Sequence, residues 1–433
     1  MARRRFFAEG PASPPAGPFV FSGVVSVRSM SNRLSPRAVL ALIALRTVNS
    51  LSRATGRGSG TVAGGRMGLV IYPKLLSDLS KHRQIILVSA TNGKTTTTAL
   101  SVAGWGDNVA TNATGANMPA GHVAALAASK ATRAVLETDE AWLPAVIEAT
   151  NPNVVVLLNL SRDQLDRATE VRAIAERWRS SLAKASKNLV VVANANDPLV
   201  VYSSEVAGDV RWCDIETSWT ADAVSCPKCT QSIIRNAGAW SCVCGFAKPN
   251  CNTRVVEREA RIGDISVQVQ LSIPGQFNIG NAVMAATALD VLGIEPTKSL
   301  MSMRSVSGIA GRFTLRTWQG RKLHMLLAKN PAGFEALLES LDPGNEDVWI
   351  AINARVADGK DPSWLYDVSF EQLQGRKVWC LGDRRLDLAT RLDYADVSYE
   401  VVDDLNSLPA SASTTELLAN YTAFSDWMQR STQ

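Results

Sequence analysis

The segment Ile85-Ile86-Leu87-Val88-Ser89-Ala90-Thr91-Asn92-Gly93-Lys94-Thr95-Thr96-Thr97-Thr98 decides how this chain is read. Its first half is an apolar, β-branched run of the kind that forms a buried parallel strand. A Gly-Lys-Thr turn follows, and Thr96 to Ala103 is compatible with a helix. Strand, turn and helix in that order form a phosphate-binding loop. The N–H groups of the turn and of the helix N-terminus face the phosphates, where the helix dipole favours an anion. Lys94 brings a mobile charge to the β- and γ-phosphates, and the Thr95 hydroxyl suits Mg²⁺. The longer form of such a loop has glycine five residues before Gly93; this chain has Val88.

A chain of 433 residues predicts two or three domains. Apolar content of 46% with 20% charged residues describes a globular protein, and no apolar run reaches the roughly 18 residues of a bilayer span. The net charge of +5 is unevenly placed. Residues 1–66 hold ten arginines, no lysine and one acid, Glu9; the other 367 residues carry 35 basic and 39 acidic side chains, a net of −4. A mildly acidic body argues against nucleic acid as a partner. The basic part suits an anionic membrane surface or a solvated arm. Residues 1–35 are expected to be a disordered basic tail, with Met30 an alternative start. No adequate h-region follows Arg3-Arg4-Arg5. From Pro36 to Leu51 the apolar spacing turns helical, and packing on the body is expected ahead of a membrane role. Seven cysteines and no secretory signal point to a reducing, cytoplasmic compartment.

Further along, strands alternate with helical spacers, which indicates a doubly wound parallel α/β sheet. Strand 134–136 ends in Glu137-Thr138-Asp139-Glu140. Acids at the C-terminal end of a parallel strand lie at the ligand crevice, so Glu137, with Glu140 as second choice, is expected to hold Mg²⁺ opposite Thr95. Strand 153–159 leads into Leu160-Ser161-Arg162-Asp163-Gln164-Leu165-Asp166-Arg167. Cys226-Pro227-Lys228-Cys229 and Cys242-Val243-Cys244-Gly245 have the pattern of a four-cysteine ribbon holding structural Zn²⁺. The single residue inside the second pair leaves Cys251 open as a substitute ligand. Asn278 and Asn281 precede an expected helix from Val283 to Leu292, and capping accounts for one of them. Beyond Gly311-Arg312-Phe313 a second α/β pattern begins, with strands at 323–328, 348–353 and 378–382.

The form Ala90-Thr91-Asn92-Gly93-Lys94-Thr95 is similar to the loop of Mur ligases and folylpolyglutamate synthases, and segment 159–167 resembles a Mur ligase motif with Gln164 in place of its His. Together with TGANMPAG, ETDE, the cysteine insert, GQFNIGNA, AGRF, LAKNPAGF, ADGKDPSW and LGDRRLDLATRLDYADV, these segments resemble the MurT family over residues 36–433. Ala354-Arg355 departs from the Asp-Asn that the family often carries. The resemblance implies a Mur-ligase central ATP-binding domain over 36–310 with the ribbon inserted at 224–252. A smaller Rossmann-like C-terminal domain follows over 311–433.

It further implies ATP-dependent amidation of the D-Glu α-carboxyl of lipid II, through an acyl phosphate. Catalysis would fall to Lys94, Glu137 and Asp361. Thr91, Asn92, Gly93, Lys94, Thr95, Thr96, Asn278 and Arg312 would bind the nucleotide, with ATP and Mg²⁺ as cofactors alongside the zinc. With three histidines, His82, His122 and His324, and no Cys-His pair suited to glutamine hydrolysis, the ammonia source is expected to be a separate GatD-like class I glutaminase. The family resemblance makes Asp361 the acid that completes the partner's triad, with Asp358 the alternate and Trp364 an anchor at the interface. A peripheral place at the inner membrane face would follow from the lipid-linked substrate. The competing readings are an amino-acid ligase of the Mur/folylpolyglutamate type and a non-catalytic nucleotide- and zinc-binding adaptor.

Overall fold

A computed structural model describes residues 35–54, 61–112, 116–162, 171–215, 219–308, 312–344, 347–408 and 414–432. The expectations for the tail at 1–34, for Gln164 and for Gly311 lie outside the described residues.

Two helices, α1 (Pro36–Ala54) and α2 (Thr61–Ile71), precede a short α3 (Leu75–Ser80). The α/β body then runs β1 (Gln84–Ser89), α4 (Lys94–Trp105), β2 (Val109–Thr111), α5 (Pro119–Ala128), β3 (Arg133–Glu137), α6 (Leu143–Thr150), β4 (Val154–Leu157), α7 (Val171–Leu182), β5 (Val190–Asn194), α8 (Pro198–Ser204) and β6 (Asp209–Asp214). A two-stranded ribbon, β7 (Ile234–Asn236) and β8 (Ala239–Ser241), is followed by a meander of β9 (Thr253–Val256), β10 (Glu259–Ile262) and β11 (Ile265–Gln268). Helices α9 (Gln276–Val291) and α10 (Pro296–Met303) end this half.

The nine strands order as β11-β10-β9-β6-β5-β4-β1-β3-β2. From β9 to β2 the pairs are parallel, and β1 lies between β4 and β3. The chain therefore reverses direction across the sheet between β1 and β4, which opens a crevice at their C-terminal ends. Every residue of β4 is buried, as is all of β1 after Gln84. Side chains alternate between faces. Ile85 and Leu87 enter the core that contains Leu42 and Trp178, while Ile86 and Val88 enter the core built on α9 and α10.

The second half is a six-stranded sheet ordered β12-β13-β17-β14-β15-β16. Its elements are β12 (Phe313–Trp318), β13 (Arg321–Leu327), α11 (Pro331–Leu338), β14 (Asp347–Ala351), β15 (Lys377–Leu381), α12 (Arg385–Tyr394), β16 (Ser398–Val401), β17 (Thr415–Ala419) and α13 (Tyr421–Arg430). Only β12 is antiparallel to its neighbour in this sheet.

Two differences from the sequence reading concern elements. The β9–β11 meander adds antiparallel strands to a sheet expected to be wholly parallel. Helix α9 begins at Gln276, well before the expected Val283, so Asn278 and Asn281 sit inside it and neither is its N-cap.

Candidate active site

Strand β1 delivers the loop into the crevice. Gly93 adopts φ +87°, and a Cβ there would come within 3.0 Å of Asn281 Oδ1 and 3.1 Å of Leu158 Cδ1. Only glycine meets both conditions cheaply. Helix α4 starts at Lys94 with no side chain capping its N-terminus, so its first-turn N–H groups remain available to an anion.

The loop is pinned from β4. Thr91 N–H donates to the Asn159 carbonyl at 3.0 Å. Asn92 N–H donates to Asn159 Oδ1 at 2.9 Å, and Asn159 Nδ2 returns a bond to the Asn92 carbonyl at 3.0 Å. The Thr91 hydroxyl donates to the Ser161 carbonyl and accepts from Ser161 N–H, both at 3.0 Å. Asn159 and Ser161 therefore fix the loop's shape, a role the sequence reading did not assign. The one signal was a polar Asn ending a strand of pure valine and leucine.

Lys94 is buried, and its Nζ donates to the carbonyls of Ala90 and of Thr91, the latter at 3.2 Å. It forms an ion pair with Glu140 at 2.9 Å. The carboxylate on Lys94 is thus the second-choice acid. Glu137 is 4% exposed at the end of β3, and its carboxylate has no partner among the described residues. Its oxygens are not among the wholly buried unpaired atoms, so the carboxylate keeps access to the crevice, where a cation could join it. Its main chain is held firmly: Glu137 N–H donates to Asn112 Oδ1 at 2.9 Å, and its carbonyl accepts from Asn112 Nδ2 and from His122 Nε2, each at 2.8 Å. Donation by Nε2–H requires His122 to keep that proton, and burial pushes the imidazole down to about 4, so it is neutral at pH 7.

On the opposite wall, Asn278 is fully buried; its amide donates to the Pro274 carbonyl and its Oδ1 accepts from Asn281 at 3.2 Å. It does not face the cleft. Asn281, one turn on, lines the cleft beside Gly93, and Asn278 orients it. The cleft is about 470 Å³ and is closed from the other domain by Arg312, Phe313, Lys329 and the first turn of α11.

Two polar links cross between the halves here. Asn92 Nδ2 donates to Asn330 Oδ1 at 3.1 Å, and Arg162 reaches Asp367 at 3.3 Å. Arg162 also pairs with Asp222, which accepts from its main-chain N–H at 3.1 Å as well. Asp222 belongs to the segment leading into the ribbon, so one arginine touches three parts of the molecule.

The four sulfurs of Cys226, Cys229, Cys242 and Cys244 lie within 4.8 Å of one another. Cys251 is outside this group and donates to the Pro249 carbonyl at 3.3 Å. The ribbon is seated on the body by Trp240, whose Nε1–H donates to the Ala195 carbonyl at 2.9 Å and whose ring packs on Phe246.

In the second half, Asp358 is buried and consumed: it accepts from Thr422 N–H at 2.8 Å, from the Thr422 hydroxyl and from Arg355 N–H at 3.2 Å. Asp361 is exposed, accepts from Ser363 N–H at 2.9 Å, and is held below the usual carboxylate range by that bond. Trp364 is not at the surface. It is 8% exposed and packs on Phe334 at 5.2 Å, so it anchors the loop to its own domain and not to a partner. Arg355, at the departure noted above, bridges Asp383 at 2.8 Å and Asp426 at 3.0 Å.

Two family models match the chain: "Mur ligase middle domain" over residues 88–289 and "MurT ligase C-terminal" over residues 327–424. Similar curated proteins include the lipid II isoglutaminyl synthase (glutamine-hydrolyzing) subunit MurT of Streptococcus pneumoniae, at 28% identity over 91% of this chain and 96% of that one. Its counterpart from Staphylococcus aureus (strain COL) is 27% identical over 88% and 94%. Among solved structures, a pseudomurein peptide ligase type C from Methanothermus fervidus superposes with a TM-score of 0.61 at 17% identity, covering 84% of each chain. The folylpolyglutamate synthase of Mycobacterium tuberculosis gives 0.54 at 14% identity, covering 93% and 97%. These structural likenesses concern the fold.

Proposed function

We infer that this chain, which belongs to the MurT family of Mur-ligase-like proteins, is the ATP-dependent synthetase subunit of a lipid II isoglutaminyl synthase. The observation that carries the reading is the joint match: a Mur ligase phosphate loop in one half and the MurT C-terminal domain in the other, facing one cleft.

The reaction is an amidation. A D-Glu α-carboxylate oxygen attacks the γ-phosphorus of ATP, and ADP leaves. Ammonia then attacks the acyl carbon, phosphate leaves, and the nitrogen loses a proton. Such chemistry needs positioning and neutralisation of charge. The free N–H groups at the start of α4 and the Lys94 ammonium are suited to the β- and γ-phosphates. To reach them Lys94 exchanges Glu140 for phosphate oxygens. Asn281 and Arg312, which line the cleft from its two sides, would hold the nucleotide. The unpartnered carboxylate of Glu137, with the Thr95 hydroxyl, fits a magnesium ion, which when bound supplies charge neutralisation at the phosphates. The four clustered thiols fit a structural zinc, which closes its shell with four sulfurs and leaves no position for substrate.

Ammonia comes from a GatD-like class I glutaminase docked on the C-terminal half. Asp361 is supported as the acid lent to that subunit because it is exposed and ionised, whereas Asp358 is spent inside the fold. A lipid-linked substrate places the protein at the inner face of the membrane. The test of the ATP site is Lys94→Ala, assayed with lipid II, ammonium and ATP. ADP release is expected to fall by roughly 100-fold or more, because the one cation of the loop is lost. Release within a few-fold of the parent would remove the loop from the reaction. A parent enzyme that consumes ATP only when an amino acid replaces ammonium would instead be an amino-acid ligase.

A further inference from the structure

We propose that the hairpin of α1 and α2 is the surface by which this protein lies on an anionic lipid bilayer. The functional reading above supplies the reason for such a contact, since its substrate is lipid-linked.

From Pro36 to Ser77 the sequence has no aspartate or glutamate and six basic residues, the first Arg37 and the last Lys74. The rest of the body is net acidic, so this single-signed stretch stands apart. The helices pack antiparallel: Gly64 lies against Asn49 and the Leu45 carbonyl, and Gly68 lies against Leu45 and the Ala41 carbonyl. The inner face of α1 is spent on the core through Ala38, Ala41, Leu42 and Leu45. That much agrees with a helix packed on the body.

The outer faces are the anomaly. On α1, Leu40 and Ile43 are 57% and 46% exposed and Leu51 is 61% exposed, all on one side of the helix. On α2, Met67 and Val70 are 43% and 78% exposed, with Arg66 beside them. Apolar side chains interleaved with arginine and free of acids are what an interfacial helix presents to a bilayer: the apolar groups enter the headgroup boundary and the cations meet anionic lipid. Neither helix is long and apolar enough to cross a membrane, so the hairpin lies on it. The stretch supplies no acid of its own, so charge complementarity favours an anionic surface.

The location is also apt. The Gly65 backbone abuts Ala120 so closely that a Cβ would fall 1.9 Å from the Ala120 carbonyl. Ala120 lies in the first turn of α5, whose His122 holds the Glu137 main chain. The hairpin therefore stands one helix away from the acidic edge of the crevice.

The experiment is vesicle sedimentation of the full chain with its glutaminase partner, using phosphatidylcholine vesicles with and without phosphatidylglycerol and containing no lipid II. We expect binding to the anionic vesicles that weakens as salt rises, and little to phosphatidylcholine alone. The triple variant Arg37→Gln/Arg46→Gln/Arg66→Gln is expected to lower the partition coefficient by roughly 10- to 100-fold. Leu40→Ser/Ile43→Ser/Val70→Ser, which keeps every charge, is expected to lower it as well. Lys94→Ala is expected to bind vesicles like the parent, which separates this proposal from the enzymatic one. Absent binding, binding indifferent to lipid charge, or binding unchanged in both triple variants would overturn it. So would a dimer in solution that the Leu40/Ile43/Val70 variant dissolves, which would assign the face to a second copy of the chain.

Discussion

His122 shows how one buried side chain sets the geometry of the crevice. Its Nε2–H holds the Glu137 carbonyl, while Nδ1 is buried with no partner. A second proton would have to sit on that unpartnered nitrogen, which is why burial holds the ring down to about 4, against 6.5 when exposed. The folded value lies below the unfolded one, so the unfolded chain binds more protons between them. The contribution is complete above pH 6.5 and is lost as pH falls toward 4, in total about 3 kcal/mol. The prediction is a difference measurement. Denaturant unfolding of the parent and of His122→Gln is followed from pH 7 to pH 4, and the parent's stability relative to the variant is expected to decline through that window. A difference that stays constant with pH would show that His122 titrates normally.

Asp361 provides the second test on a single side chain. An asparagine keeps the bond from Ser363 N–H but lacks the charge. If Asp361 orients a partner's histidine, Asp361→Asn loses glutamine-dependent amidation, by a factor of roughly 10⁴ as for the equivalent change in a serine triad, while added ammonium still supports the reaction. If Asp361 only shapes its turn, both activities persist. The sequence favoured Asp361 by resemblance and kept Asp358 as the alternate; that Asp358 is taken up inside the fold depends on Thr422, 64 residues away, which no local pattern reveals. The same blindness to distant partners explains Lys94. Its place in the loop was plain from Gly93-Lys94-Thr95, but the ion pair with Glu140 depends on how the β3–α6 connection folds back.

At the scale of elements, what could be read was what local pattern encodes. The run Ile85–Ser89 is buried on both faces, and its β-branched composition with a Gly-Lys-Thr turn close behind suits a strand inside a parallel sheet, so β1, the loop and α4 were legible. The four cysteines were legible because two close pairs beside turn residues have the pattern of a metal ribbon, and their sulfurs do converge. The β9–β11 meander was not, since its burial alternates along short strands such as Glu259–Ile262 and its charged outer face resembles loop sequence. The start of α9 was missed for a related reason: a helix buried on nearly all sides has no amphipathic stripe to mark where it begins. Trp364 was misread because exposure is a tertiary property.

The ribbon should matter beyond its own fold. Cys226, Cys242, Trp240 and Phe246 are part of the main core, and the approach to the ribbon carries Asp222, which holds Arg162 beside the phosphate loop. Metal analysis is expected to find one zinc per chain. Cys226→Ser is expected to lower the melting temperature by several degrees before it changes the chemistry of enzyme that remains folded. Protein that binds no zinc when freshly purified would contradict this assignment.

At the scale of the molecule, two α/β halves close on one cleft, and contacts across it engage the loop, the segment after β4 and the start of α9. Asn330 holds Asn92, Asp367 holds Arg162, and Phe313 stacks on Phe277 at 6.2 Å. On the proposed function, the inner side of the C-terminal half closes on the nucleotide cleft while the exposed Asp361 would serve a partner subunit. The central claim is that these halves join ATP cleavage to amide formation on a lipid-linked carboxylate with nitrogen drawn from a partner. It is tested most directly by mass spectrometry of lipid II incubated with this chain, a GatD-like glutaminase, ATP and glutamine labelled at its amide nitrogen. The label is expected to appear in a carboxamide at the D-Glu α-position, with one ADP released for each amide formed. Lipid II that emerges unamidated while ATP is consumed, or that carries an added amino acid in place of the labelled nitrogen, would contradict it.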